Sequence, residues 1–414
     1  MSWYNLQTMA WRIFKSKIFY GLVGIGAIFS FVFFGVDMIW KQPTIEYLAS
    51  AVAGFDSGVA EDIKEVFVPT HIKTPEAVKA IYMTSWVAST RDWRSSLVKM
   101  VEDTELNSII IDVKDYEGVI SFKVKDEELK KVGSDSNRIS DVKEFIASLH
   151  KKGIYVIARI SVFQDAYLVT KKPDLAVKKK SDSSVWKDRK GITWLDQCSR
   201  EVWDYTVAVA KEAEHIGFDE LNFDYIRFPS DGNMKDIHYD HCPENVVKAD
   251  TIGEFSKYLS ENLKDMGVPI SADLFGMVTV NTDDLGIGQV LEKEASYFDY
   301  IAPMVYPSHY PVGYNGYKNP ADYPYEIIKL GMDTALRRMI NQEAGLAFNA
   351  TNTPSVSEYP HLKNKLRPWL QDFDLGATYD ASMIRAQKQA VYDAGLTSWM
   401  LWAPSNKYTV EGLD

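Results

Sequence analysis

The chain is short of cysteine, of net positive charge and of phosphate-binding glycine patterns. Among its 414 residues are two cysteines, Cys198 and Cys242. Both fall in stretches that read as loops on one side of the expected fold. A disulfide between them suits an exported domain, although the sequence does not show that they meet. Cys242 also belongs to the sole cluster of metal-ligand type, His238, His241 and Cys242 with Asp236 and Asp240 nearby. A structural zinc site needs four well-spaced ligands and no second cluster appears, so a solvated loop is the expectation and no metal or cofactor is assigned. Acidic residues outnumber basic ones, 57 to 46, for a net charge of −11. That balance argues against nucleic acid as the partner, because phosphate binding needs a basic face. No Gly-rich turn follows the first expected strand, which disfavours an open dinucleotide-type sheet. There is no internal repeat at a fixed period and no low-complexity tract.

What the chain does have is aromatic content, 13% with 11 Trp and 23 Tyr. It also has an apolar N-terminal run. Residues 18–36 carry no charge and follow Arg12, Lys15 and Lys17. That length spans a hydrocarbon core as a helix, and no small-x-small cleavage site follows. The reading is a cytoplasmic basic tail at 1–17, an uncleaved transmembrane signal anchor at 18–36, a stalk at 37–74 and an extracytoplasmic domain from 75 to 414.

Beyond Pro75, strands alternate with amphipathic helices. Strands are expected at 78–84, 108–113, 154–160, 219–224, 269–273, 300–305, 366–371 and 398–402. Helices are expected near 92–101, 139–152, 200–215, 250–266, 287–295, 325–340 and 382–394, and 343–359 reads as a surface insertion. Eight strand–helix units imply an α/β fold of the closed (β/α)8 TIM-barrel type, preceded by the single N-terminal transmembrane helix.

Period-2 alternation then sorts each strand into barrel-facing and helix-facing sets. It turns Ile110, Asp112 and Lys114 inward on the second strand, and Ile157, Arg159 and Ser161 on the third. Asn222 and Asp224 point in on the fourth, and Ser271 and Asp273 on the fifth. Met304 and Tyr306 share a face on the sixth strand, Arg367, Trp369 and Gln371 on the seventh, and Ser398, Met400 and Trp402 on the eighth. An inward set this polar departs from the Val, Ile and Leu layers of a purely structural barrel. Buried charges need partners, and Asp112 with Arg159 is a natural structural pair. Asp224 and Asp273 end adjacent strands at the face where barrel enzymes keep their sites.

Two carboxylates across a small gap suit glycosidic bond cleavage, one as proton donor and one as nucleophile or stabiliser. Adjacent strands lie about 4.8 Å apart, which favours the ~5 Å spacing of retaining enzymes. Arg227 and Asn222 are expected to keep Asp224 ionised, and the apolar Leu274 and Phe275 to raise Asp273. Tyr225, Tyr306, Trp369, Trp402 and Trp86 form a rim suited to stacking sugar rings.

The segments IIIDVKDYEGVI, FDYIRFP, YIAPMVYPSHY and RPWLQDF together resemble the putative glycosyl hydrolase domain family of bacterial (β/α)8 barrels, distantly alpha-amylase-like. The resemblance covers the chain from about Pro75 to its end. It implies Asp224 as nucleophile and Asp273 as acid/base, where amylase-like relatives carry glutamate. Asp372 corresponds to the third amylase-like carboxylate, although alternation turns it away from the face of Gln371. Lys114, Asp115 and Arg227 sit in the motifs as substrate ligands. The function expected is hydrolysis of a cell-surface or extracellular polysaccharide. Two other readings stand beside it: a non-catalytic glycan-binding barrel that keeps the aromatic rim, and a metal-dependent hydrolase using His238 and His241.

Overall fold

A computed structural model describes residues 68–414. The expected anchor at 18–36 and most of the 37–74 stretch lie outside the described residues. Among the described residues no helix is long and apolar enough to cross a membrane.

Eight parallel strands close into a barrel in chain order. They are β1 (Lys79–Met83), β2 (Ser108–Lys114), β3 (Tyr155–Ser161), β4 (Glu220–Asp224), β5 (Ile270–Phe275), β6 (Tyr300–Met304), β7 (Trp369–Gln371) and β8 (Trp399–Trp402). Seven helices return the chain between strands: α1 (Arg91–Asp103), α2 (Val142–His150), α3 (Arg200–Ile216), α4 (Lys248–Leu263), α5 (Leu291–Ala295), α6 (Pro324–Glu343) and α7 (Ala381–Asp393). Expected and observed elements differ by a few residues at their ends. Short helices at Ser85–Ser89, Glu127–Val132, Ala166–Lys171 and Pro360–Lys365 fall in stretches that read as loops.

The alternation holds through most of the barrel. Ile109, Ile111, Val156, Ala158, Leu221, Phe223 and Ala272 pack against the helices in one large apolar core. Ala80, Tyr82, Ile110, Ile157, Ala302, Trp369 and Met400 form a second, smaller core inside the barrel. Strands buried on both faces are what a parallel sheet covered by helices requires. The barrel's N-terminal end is plugged by polar groups that satisfy one another. Glu220 pairs with Arg367 at 2.7 Å and accepts from the Tyr155 hydroxyl at 3.0 Å. Residues just before β1 dock there, with Ile72 N donating to Asp219 Oδ1 at 2.8 Å.

Register departs from simple alternation at one place that matters. A bulge between Asp112 and Lys114 shifts the β2–β3 pairing. A bulge inserts a residue and re-aims the side chain that follows it. Lys114 therefore leaves the barrel interior, pairs with Asp165 at 2.7 Å and lies 5.8 Å from the Tyr205 ring of α3. Gly118 makes room for this pair, since a Cβ there would sit 1.9 Å from Asp165 Oδ1.

The loops after β3 and β4 are joined twice. Lys178–Lys179 pairs antiparallel with Ile237–His238, and Cys198 is disulfide-bonded to Cys242 with Cα atoms 5.1 Å apart. The bridge spans 44 positions and encloses α3 and β4. Loop-closure entropy for a ring of that size corresponds to about 4 kcal/mol. A Cys198→Ser/Cys242→Ser double variant should lose stability of that order in denaturant unfolding; an unchanged midpoint would mean that the ring contributes nothing.

Candidate active site

β3, β4 and β5 deliver their last inward side chains to one point at the C-terminal mouth. The β4–β5 register runs Leu221 to Ile270, Asn222 to Ser271 and Phe223 to Ala272. Continued by one residue, it sets Asp224 level with Asp273. Both carboxylates meet the guanidinium of Arg159. Its Nη2 donates to Asp224 Oδ2, and its Nε lies 3.8 Å from Asp273 Oδ2. Nη1 donates to Asp112 Oδ1 at 2.7 Å, so three carboxylates share one cation. All four side chains are buried. The expected pair of Asp112 with Arg159 is present, and it is part of a larger hub.

The two candidate catalytic carboxylates sit in different surroundings. Asp224 accepts from Arg159 and from the Tyr225 amide at 2.5 Å, donors that stabilise negative charge. Tyr225 holds a left-handed φ of 55°, a costly conformation for a tyrosine of the kind found at functional sites. Asp273 is pushed up to about 8, first by burial and then by the charge of Asp224; Arg159 and hydrogen bonds from Trp369 and Asn222 oppose the rise only in part. Asp273 Oδ1 accepts from Trp369 Nε1 at 2.7 Å and from Asn222 Nδ2 at 2.9 Å. With Oδ1 engaged by two N–H donors, Oδ2, which lies 3.8 Å from Arg159 Nε, is the oxygen left to carry a proton.

Several expected ligands take other roles. Trp369 is 1% exposed and offers no stacking face, because its indole is spent on Asp273. Trp402 lies flat on Tyr82 at 4.0 Å and edge-on to Trp369 at 5.7 Å. Together they pack beside Arg159, whose guanidinium is 5.1 Å from the Trp402 ring. Arg227 does not reach Asp224. It donates to Phe228 O and Ser230 Oγ and lies 4.9 Å from the Trp194 ring, and Arg159 supplies the cation expected of it. Asp372 faces the C-terminal loop, where it accepts from Thr409 N at 2.9 Å and Thr409 Oγ1 at 2.8 Å, as alternation requires. Lys114 is outside the mouth for the reason given above. Asp115 is half-buried at the rim, 3.9 Å from Arg138.

Tyr306 and Tyr225 stay with the cluster. The Tyr306 phenol is raised far above its ordinary range by burial and by the charges of Asp273 and Asp224, and its hydroxyl has no hydrogen-bond partner among the described residues. A phenol hydroxyl that feels both carboxylates and makes no hydrogen bond among the described residues is available to a bound hydroxyl or carbonyl. Tyr82 was not singled out in the sequence. It donates to Asp112 Oδ2 and fixes the far side of the hub. The alternation of Ala80 and Tyr82 would have found it, had the first strand been sorted as the others were.

The metal-type cluster is not assembled. His238 pairs with Asp240 at 3.2 Å, and His241 Nε2 meets the Asp174 carbonyl at 3.1 Å. Asp196, Cys198 and Cys242 converge, but the two thiols are spent on the disulfide.

A parallel barrel with two inward carboxylates at its C-terminal mouth has the architecture of a (β/α)8 enzyme. The chain belongs to the putative glycosyl hydrolase domain family, whose model matches residues 80–408. It is thereby a hydrolase of the glycosidic type. A hypothetical protein from Ruminiclostridium thermocellum is 32% identical over 50% of this chain and 98% of its own, with a TM-score of 0.43. The PgaB (BpsB) glycoside hydrolase domain from Bordetella bronchiseptica has a TM-score of 0.51 at 12% identity, covering 80% of this chain and 95% of its own, and shows the same fold. No curated protein matches the chain.

Replacing Arg159 with Met should cost about 3–5 kcal/mol, because three buried carboxylates then lose their cation. Arg159→Lys should recover little, since an ammonium cannot reach Asp112 and Asp224 along two edges as the guanidinium does. Chemical denaturation of both variants checks this; wild-type stability in Arg159→Met would show that the hub is not electrostatically held.

Proposed function

We propose that the protein is a membrane-anchored glycoside hydrolase that cleaves a cell-surface or extracellular polysaccharide, with Asp273 as general acid and Asp224 as nucleophile. The carrying observation is the asymmetry of the pair around one guanidinium: Asp224 accepts from Arg159 and a backbone amide, whereas Asp273 accepts from the neutral Trp369 and Asn222 N–H groups, and burial and the charge of Asp224 push it toward its protonated form. Asp273 Oδ2–H donates to the glycosidic oxygen as the bond to the leaving sugar breaks. Asp224, stabilised by Arg159 and the Tyr225 amide, attacks the oxocarbenium-like carbon from the opposite side. Asp273, now charged, takes a proton from the water that releases the glycosyl group. Strand adjacency favours the short carboxylate spacing, and hence retention at the anomeric carbon. Tyr306 supplies a hydroxyl to the reacting sugar. A glycan-binding scaffold would need no desolvated acid at this point, so the pair favours turnover.

Two observations support export. The Cys198–Cys242 bridge suits an oxidising compartment, and the basic flank of residues 18–36 favours a cytoplasmic N-terminus. Protease added to intact cells that make the full-length chain should remove the barrel; protection until lysis would place the barrel inside.

Asp224→Asn and Asp273→Asn should each reduce sugar release from the cleaved polysaccharide by at least about 10²–10⁴-fold, with the fold retained. Full activity in both would overturn the assignment. Because Asp273 acts in its protonated form, activity should fall as pH rises through about 8. Trp369 stabilises the charged form, so Trp369→Phe should move that limb to higher pH. NMR of the first product formed should show retained configuration; inversion would require a wider pair with a water between.

A further inference from the structure

Most aromatics at the mouth are committed to other groups: Trp369 to Asp273, and Trp402 to Tyr82. Two on the loops after β1 and β2 are not. Trp86 is 57% exposed and Tyr116 is 48% exposed. Trp86 follows β1 by three positions, and Tyr116 follows β2 by two. They are therefore at the same C-terminal rim as Asp224 and Asp273.

The indole of Trp86 is held firmly. Arg138 lies 3.9 Å from its ring centre and covers one face. Arg138 is itself fixed by Ser85 Oγ at 2.8 Å and Glu117 Oε2 at 3.3 Å, with Asp115 at 3.9 Å. Asp115 in turn acts electrostatically on Asp112 in the hub. A braced indole with an open face loses little freedom when a ligand lies on it. Its apolar face matches the C–H face of a pyranose ring, while Asp115 and Glu117 beside it can accept from ring hydroxyls. The surrounding acidic groups disfavour an anionic occupant at this place.

We propose that Trp86, with Tyr116 after β2 contributing at the same rim, forms a stacking platform for uncharged or cationic pyranose rings of the glycan, away from the bond being cleaved. This rests on the glycoside hydrolase reading and adds to it a distal subsite and a preference for extended, non-anionic chains. Such a subsite holds the polymer in register while the mouth acts on one linkage.

The test uses the full-length chain carrying Asp224→Asn, so that bound polymer is not consumed. Mobility is measured in native gels containing hydroxyethyl cellulose, xylan, mixed-linkage glucan, glycol chitin, chitosan or, as the anionic arm, alginate. At least one neutral or cationic polymer should retard the parent chain. Adding Trp86→Ala should weaken that retention roughly three- to tenfold in apparent dissociation constant. Trp86→Phe should keep most of it, and Tyr116→Ala should give a smaller loss. Thermal unfolding should be unchanged in Trp86→Ala, which separates lost stacking from lost fold. Equal retention with and without Trp86 overturns the platform, as does a parent retarded by no polymer or by alginate alone. Turnover by Asp224→Asn itself is a separate readout: full activity there overturns the catalytic assignment and leaves the retention result to stand.

Discussion

The barrel mouth is built around the guanidinium of Arg159. Burying three carboxylates at the end of a parallel barrel would be prohibitive without a counter-charge, and Arg159 is the one cation that touches Asp112, Asp224 and Asp273. A planar fork can meet acceptors along several edges at once, which a lysine cannot do. The cation is also too little for three anions. The shortfall is resolved by geometry: Asp112 takes a tyrosine donor, Asp224 takes a backbone amide, and Asp273 keeps its proton. The same imbalance that strains the interior separates an acid from a base.

The strands and their inward faces were legible because period-2 alternation is a local property of each strand. Leu221 and Phe223 outward with Asn222 and Asp224 inward needed no knowledge of the rest of the chain. Alternation failed where backbone geometry intervened. The bulge after Asp112 carried Lys114 out of the barrel, and no residue in SIIIDVK marks a bulge. The identity of partners was less legible still. Arg159 finds Asp112 across 47 positions and Asp224 across 65, and Trp369 finds Asp273 across 96. Such pairings follow from how strands are staggered around the closed barrel. Arg227, three residues from Asp224, was the nearer guess in sequence and the wrong one in space.

The aromatics divide in a way that composition could not show. Tyr82, Trp369 and Trp402 form an interior stack that excludes water around the hub. Desolvation of Asp273 depends on that stack as much as on the strand that carries it. Trp86 and Tyr116 stand on the loops above and remain open. The same residue types thus tune the charge state below and present apolar faces above.

The disulfide has a consequence for how the molecule responds to a backbone cut. The bridge from Cys198 to Cys242 rings the segment that carries β4 and Asp224. A single cut in the partly exposed stretch 230–241 would leave both fragments covalently joined and β4 still clamped between its neighbours. Breakage there would yield a two-chain molecule with its mouth in place, and only reduction together with cleavage would release the piece.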